Sequence, residues 1–122
     1  MAIDKFNLPH VFFLSEIGHT DDVWQPRADV YRTREGWLVK LELAGVRPDE
    51  IRLNIEDHRL IVQGSRRDEH CRSAMGCHCL EIAYSQFQRV VELPGLSSEA
   101  AEIATSYVDG MLLLRIKMGN RS

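Results

Sequence analysis

Apolar and polar residues alternate along this chain in several short runs that are separated by turn residues. The alternation is clearest in residues 37–43, 51–55, 60–64 and 112–116. A period of two residues is typical of a strand that buries one face. Because the runs follow one another without helical segments between them, the pattern predicts an all-β protein, an immunoglobulin-like β-sandwich.

One hairpin is specified by its turn. Asp109 and Gly110 separate two strand-like runs, and this dipeptide tolerates the positive φ angles of a two-residue turn. A short strand is predicted at residues 28–32 and a long one from Glu81 to Leu93. We expect Gly64 to mark a bulge or a close approach of another segment.

Length and charge restrict the function. The chain has 122 residues and a net charge of −3, which predicts one domain and argues against nucleic acid as a partner. No segment is long enough to cross a bilayer, and no secretory leader is evident at the N-terminus, so we expect no membrane partner. Three cysteines are an odd number, which favours a reducing, cytoplasmic environment over a disulfide framework.

The chain divides into three parts. Residues 1–22 are predicted to form a short apolar N-terminal arm, residues 23–118 the β domain, and residues 119–122 a short tail. The arm either packs on its own domain or contacts partner chains and clients, and the sequence leaves both alternatives open.

The segment from Ser65 to Cys79 is longer than ordinary hairpin loops and is therefore expected to be functional or mobile. It contains thiol and imidazole groups that suit zinc, and the candidate ligands are Cys71, Cys77, His78 and Cys79. Their spacing does not match paired C-x2-C ligands, so incidental thiols, a metal site and a redox sensor all remain open. No cofactor is expected.

Catalytic motifs are not found. The sequence lacks a G-x-x-x-x-G-K-[ST] phosphate loop, a G-x-G-x-x-G fingerprint and a G-x-S-x-G nucleophile motif. This absence indicates a binding protein rather than an enzyme.

Six short phrases, in order along the chain, resemble the small heat-shock protein family of bacterial type, whose core is the α-crystallin domain. They occupy residues 24–31, 43–51, 60–64, 87–89, 93–94 and 109–112. The departures are Ala44 in place of a proline, Thr105 in place of an alanine, and a segment 81–85 without the family's arginine and glycine. The printed chain also shows no Ile-x-Ile tail motif, so assembly by tail docking is not expected.

The resemblance implies a holdase, a chaperone that binds unfolding client proteins without ATP, and a homodimer that can assemble further. It places a client or peptide groove between two strand edges, at Ile51, Leu53, Ile55, Ile103, Thr105 and Tyr107. It also implies that a loop strand is exchanged between subunits, with the dimer interface at Ala28, Val30, Tyr31, Cys77, Cys79, Leu80 and Arg89. Leu53 and Ile55 can equally be core residues. The alternatives are a p23-like co-chaperone for one dedicated partner and a thiol- or zinc-responsive module on the same fold.

Overall fold

The computed structural model describes residues 23–69 and 74–119, which form an all-β sandwich and confirm the expected fold class. Its strands in this part of the chain are β1 (Ala28–Arg32), β2 (Gly36–Glu42), β3 (Ile51–Glu56), β4 (Arg59–Ser65), β5 (Gln86–Glu92), β6 (Glu102–Val108) and β7 (Met111–Lys117). A short 3₁₀ helix, Pro48–Glu50, precedes β3. No helix within these residues is long and apolar enough to span a membrane.

The strands form two antiparallel sheets. One has the order β1-β2-β7-β6 and the other the order β3-β4-β5. The predicted arm, residues 1–22, lies outside the described residues, and so does Cys71. The boundaries predicted for the domain therefore stay predictions.

The predicted hairpin turn is confirmed. Asp109 and Gly110 have φ angles of 54° and 79° and connect β6 to β7. Positive φ at both turn positions matches the right-handed twist of the flanking strands. Val108 consequently pairs with Met111, and the register continues to Glu102 opposite Lys117.

Gly64 is a point of close approach, as the sequence predicts. It pairs with Ile51 on one side and Phe87 on the other. A Cβ atom built on Gly64 would lie 2.6 Å from Cζ of Phe87 and would collide with the backbone oxygen of Glu50. The absence of a side chain therefore lets the β3 end of the sheet and the Phe87 ring close over this position.

Side chains from both sheets and from two connections fill the space between the sheets. The buried set is Val39, Leu41, Leu43, Val46, Leu53, Leu60, Val62, Phe87, Val91, Leu93, Leu96, Leu112, Leu114 and Ile116. The strand members are the alternate residues that the sequence pattern assigns to one face.

The long strand predicted from Glu81 to Leu93 is wrong at its start. β5 begins at Gln86, and residues 81–85 belong to no strand. Ile82 and Tyr84 are exposed rather than buried in the core. Past Gln86 one further backbone bond joins the Arg66 N–H to the oxygen of Ser85, and the backbone oxygen of Ala83 then accepts a hydrogen bond from the Arg66 side chain rather than from a strand.

The segment before β1 crosses between the sheets and shows which edges lie together. Trp24 exchanges backbone hydrogen bonds with Gln86 and Gln88, and its ring meets that of Phe87 edge to face at 5.5 Å. Glu42 in β2 donates its N–H to the backbone oxygen of Arg27. β5 therefore lies on the β1 side of the sandwich, which leaves β3 and β6 together on the opposite side.

Candidate functional site

Two strand edges lie open on the same side of the sandwich. β3 is hydrogen-bonded only to β4, and β6 only to β7, among the described strands. An open edge presents unpaired backbone N–H and C=O groups that can accept an extended segment as an added strand. These two edges are the ones between which the groove is predicted, and the groove itself stays a prediction.

The predicted groove residues differ in accessibility. Leu53 is 2% exposed and belongs to the core. The partly buried members pack against the core from the rim, and they are Ile51, Ile55, Ile103 and Tyr107. Thr105 is exposed although it alternates with Ile103 and Tyr107 on the inward face of β6. The two sheets therefore do not close over the middle of β6, and Thr105 marks the opening.

Tyr107 has a second role that the sequence does not show. Its hydroxyl lies 2.5 Å from the backbone oxygen of Leu43 and 2.7 Å from that of Val46. A hydroxyl carries one proton, so it donates to one of these carbonyls at a time. Since both carbonyls belong to the connection between β2 and β3, Tyr107 ties one groove edge to the chain that leads to the other.

An ion pair lies at the start of the same groove edge. Nη2 of Arg47 is 3.1 Å from Oδ2 of Asp49, just before β3. The hydrogen bond from Arg47 holds the pKa of the Asp49 carboxyl below its ordinary value. Both side chains are exposed to solvent, which screens the pair and limits its contribution to stability.

The proposed dimer surface comprises a free strand edge and an exposed loop. Among the described strands β1 pairs only with β2, and all its residues except the half-buried Ala28 are exposed, including Val30 and Tyr31. In the loop Cys77 and Cys79 are exposed, and Leu80 is 74% exposed. Residues 77–80 form no strand within the protomer. An exchanged strand is therefore still a prediction, but its side chains are free to contact another chain.

Arg89, the remaining predicted interface residue, has a partner within its own chain. Its Nη1 donates a hydrogen bond to the backbone oxygen of Pro26 at 3.0 Å. The side chain is half-buried between β5 and the segment that leads to β1. A role for Arg89 in the dimer stays a prediction.

Three of the four candidate metal ligands lie within the described residues. Cys77, His78 and Cys79 are all exposed. In residues 23–69 and 74–119 no three histidine, cysteine or acidic residues are arranged so that they could hold a metal ion.

Sequence reasoning did not single out Arg66, whose side chain holds two other segments of the chain. Its Nε donates to the backbone oxygen of Ala83 at 2.9 Å, and its Nη1 donates to that of Ala44 at 3.0 Å. Its backbone N–H donates to the oxygen of Ser85 at 2.9 Å. A basic residue directly after a strand is too common a signal to reveal such a set of contacts.

Residues 29–122 match the family model described as the Hsp20/alpha crystallin family. The chain belongs to this family. The match covers all of the described strands except the first residue of β1, so the resemblance read from six short phrases is confirmed by the fold and by the family comparison.

Two curated relatives of this Hsp20-family chain come from Rickettsia felis. Small heat shock protein C2 is 30% identical over 91 residues, which are 75% of this chain and 58% of the relative. Small heat shock protein C4 is 25% identical over 146 aligned positions, which cover 97% of this chain and 89% of the relative. The chain therefore spans well under two thirds of the first relative's length and most of the second's.

A solved structure, HSP18.5 from E. histolytica, has the same fold. It superposes with a TM-score of 0.66 at 25% identity, covering 82% of this chain and 93% of the other. Hsp20-family membership thus accounts for the architecture. The role of each surface has to be argued from the geometry of this chain.

Proposed function

We propose that this Hsp20-family protein is an ATP-independent holdase that binds partly unfolded proteins and limits their aggregation. The observation that carries the proposal is that β3 and β6 are edge strands among the described strands, with Thr105 exposed on an inward-facing position and partly buried apolar side chains along both strands. An extended client segment can pair with a free edge and bury its apolar side chains there, at about 25 cal/mol per Å² of apolar surface buried.

The proposed unit is a homodimer in the cytoplasm. Its support is the free edge of β1 and the exposed side chains of residues 77–80, which together fit an exchange of identical elements about a two-fold axis. In such a dimer the groove lies on the opposite side of the sandwich from β1, so assembly leaves it accessible to clients. Residues 23–118 are proposed as the domain that carries both surfaces.

The groove is tested by placing a charge at its opening. We expect the protein to suppress light scattering from a thermally unfolding client without nucleotide, and Thr105→Glu to reduce that protection at least twofold. A carboxylate at this position would have to be desolvated when an apolar segment binds. Ser106→Glu is the matched control, because the neighbouring residue faces away from the groove on the same strand.

The outcomes separate the alternatives. No protection by the unmodified protein at several-fold molar excess contradicts the holdase proposal. Protection of a single partner but of no unrelated client favours the co-chaperone alternative. Equal protection by the two glutamate variants, with both still folded by circular dichroism, places client binding outside the groove. Nothing in the described residues favours the thiol- or zinc-responsive module over the holdase.

A further inference from the structure

Arg66 lies where three segments of the chain meet. Its guanidinium carbon is 3.8 Å from the ring centroid of Trp24 and 5.8 Å from that of Tyr84. Trp24 stands before β1, and Tyr84 stands at the end of the loop that precedes β5. Together with its hydrogen bonds to Ala83 and Ala44, the side chain connects this loop, the β2–β3 connection and the segment that leads to β1.

The residues that Arg66 binds are held in place, whereas the loop residues that precede them in sequence are exposed. Residues 83–85 are held at two backbone oxygens, those of Ala83 and Ser85. Immediately before them the large apolar side chains of Met75, Leu80 and Ile82 are exposed, at 102%, 74% and 61%. The chain therefore changes from an exposed apolar segment to a fixed one at the residues that Arg66 binds.

We propose that Arg66 is the positioning residue of residues 74–82: it holds residues 83–85 against the sandwich so that this segment leaves the domain at a set point and is available to a second copy of the chain. The partner is a second copy because the exchange dimer pairs this segment with β1 of another protomer, and β1 is an edge strand among the described strands. The inference rests on the exchange dimer proposed above, which it extends by naming the residue that directs the loop.

The chemistry of arginine suits this role. A planar guanidinium can donate in two directions and stack on an indole ring at the same time, whereas a lysine ammonium is a compact charge without a stacking face. Arg67 provides a matched control, since it carries the same charge one residue later. Its Nη2 contacts Oε2 of Glu50 at 3.0 Å, and its side chain is 64% exposed.

The experiment compares Arg66→Gln, Arg66→Lys and Arg67→Gln in the full chain. Chymotrypsin cleavage near Leu80 and Tyr84 reports on the loop, and the dimer dissociation constant comes from sedimentation velocity. Trp24 emission is recorded in a Trp37→Phe background, because the chain has two tryptophans. We expect Arg66→Gln to speed cleavage at least fivefold, to weaken the dimer at least tenfold and to shift Trp24 emission. Arg66→Lys should give changes between those of the wild-type protein and Arg66→Gln. Arg67→Gln should change the cleavage rate and the dissociation constant less than twofold.

A purely structural effect is identified by Val39→Ala, a core variant that destabilises the sandwich without contacting the loop. If Arg66→Gln changes cleavage and dimer dissociation only as much as Val39→Ala does at equal loss of thermal midpoint, the positioning role is overturned. Faster cleavage with an unchanged dissociation constant also overturns it, because the loop would then not govern assembly. A wild-type protein that stays monomeric contradicts the exchange dimer, whereas a stable wild-type dimer that is indifferent to Arg66→Gln contradicts only the role of Arg66.

Discussion

The hydroxyl of Tyr107 connects an edge strand to the link between the two sheets. Its ring packs against the core, while its oxygen reaches the backbone carbonyls of Leu43 and Val46. The alternation of residues along β6 places the aromatic ring of Tyr107 on the inward face of the strand. The partners of the hydroxyl lie more than 60 residues earlier, with separations of 64 and 61. A pattern of period two cannot specify such a contact.

Tyr107→Phe tests this hydroxyl with the ring retained. We expect the free energy of unfolding to fall by about 1–2 kcal/mol, because a part-buried hydrogen bond is lost and two carbonyls lose their donor. Urea denaturation measures the change. Ser106→Ala, which removes an exposed hydroxyl from the neighbouring residue of the same strand, is the control and should shift the midpoint little. Equal losses for both variants would show that the Tyr107 hydroxyl adds nothing specific.

At the level of whole strands, much of the fold can be read from the sequence. Alternation between Trp37 and Leu43 identifies β2, and Asp109-Gly110 identifies the β6–β7 hairpin. The loop before β5 is misjudged because Ile82 and Tyr84 alternate like strand residues, yet no neighbouring strand pairs with them. Pairing depends on contacts across the fold, and here the long-range contact is the side chain of Arg66.

In the candidate groove, too, the sequence predicts the strands but not the contacts across the fold. The sequence, through the family resemblance, predicts which strands supply the groove. It does not distinguish Leu53, which is 2% exposed, from Ile51 and Ile55, which lie at the rim. All three have the same parity on one strand, and only the position of the opposing sheet decides which side chain is covered.

The three-stranded sheet depends on Gly64, which lies near the end of its central strand β4. Gly64→Ala should lower the free energy of unfolding by roughly 1–3 kcal/mol, because an added methyl group overpacks a filled site. Its Cβ would lie 2.6 Å from Cζ of Phe87. Gly76→Ala is the matched control, since a Cβ there has no neighbour within 4 Å. Guanidinium denaturation of both variants checks the difference, and similar midpoints would contradict the close packing at Gly64.

At the scale of the whole molecule, the two proposed surfaces lie on opposite sides of the sandwich. β1 and the exposed loop are on the β5 side, and the groove is on the β3–β6 side. Assembly and client binding are therefore separable by mutation. A change at one surface should leave the other working.

Removing residues 75–82 tests the exchange directly. We expect the shortened chain to sediment as a monomer, because the segment proposed to pair with the partner's β1 is removed. Gly76→Ser, which keeps the loop length and the exposed apolar side chains, should remain dimeric, since a Cβ at this position has no neighbour within 4 Å. Circular dichroism establishes that the shortened chain keeps its sheets. A folded, dimeric deletion variant would refute the exchange.

The sheet order also dictates what the protein can form while it is being synthesised. β3, β4 and β5 are neighbours in both sequence and space, so their sheet can form once residue 92 has left the ribosome. The β1–β2 hairpin has to wait for β7, the last described strand to be made, because β7 lies beside β2. Until then the edge of β2 that pairs with β7 lacks that partner, and the nascent chain is itself an incompletely folded protein of the kind that a holdase would bind.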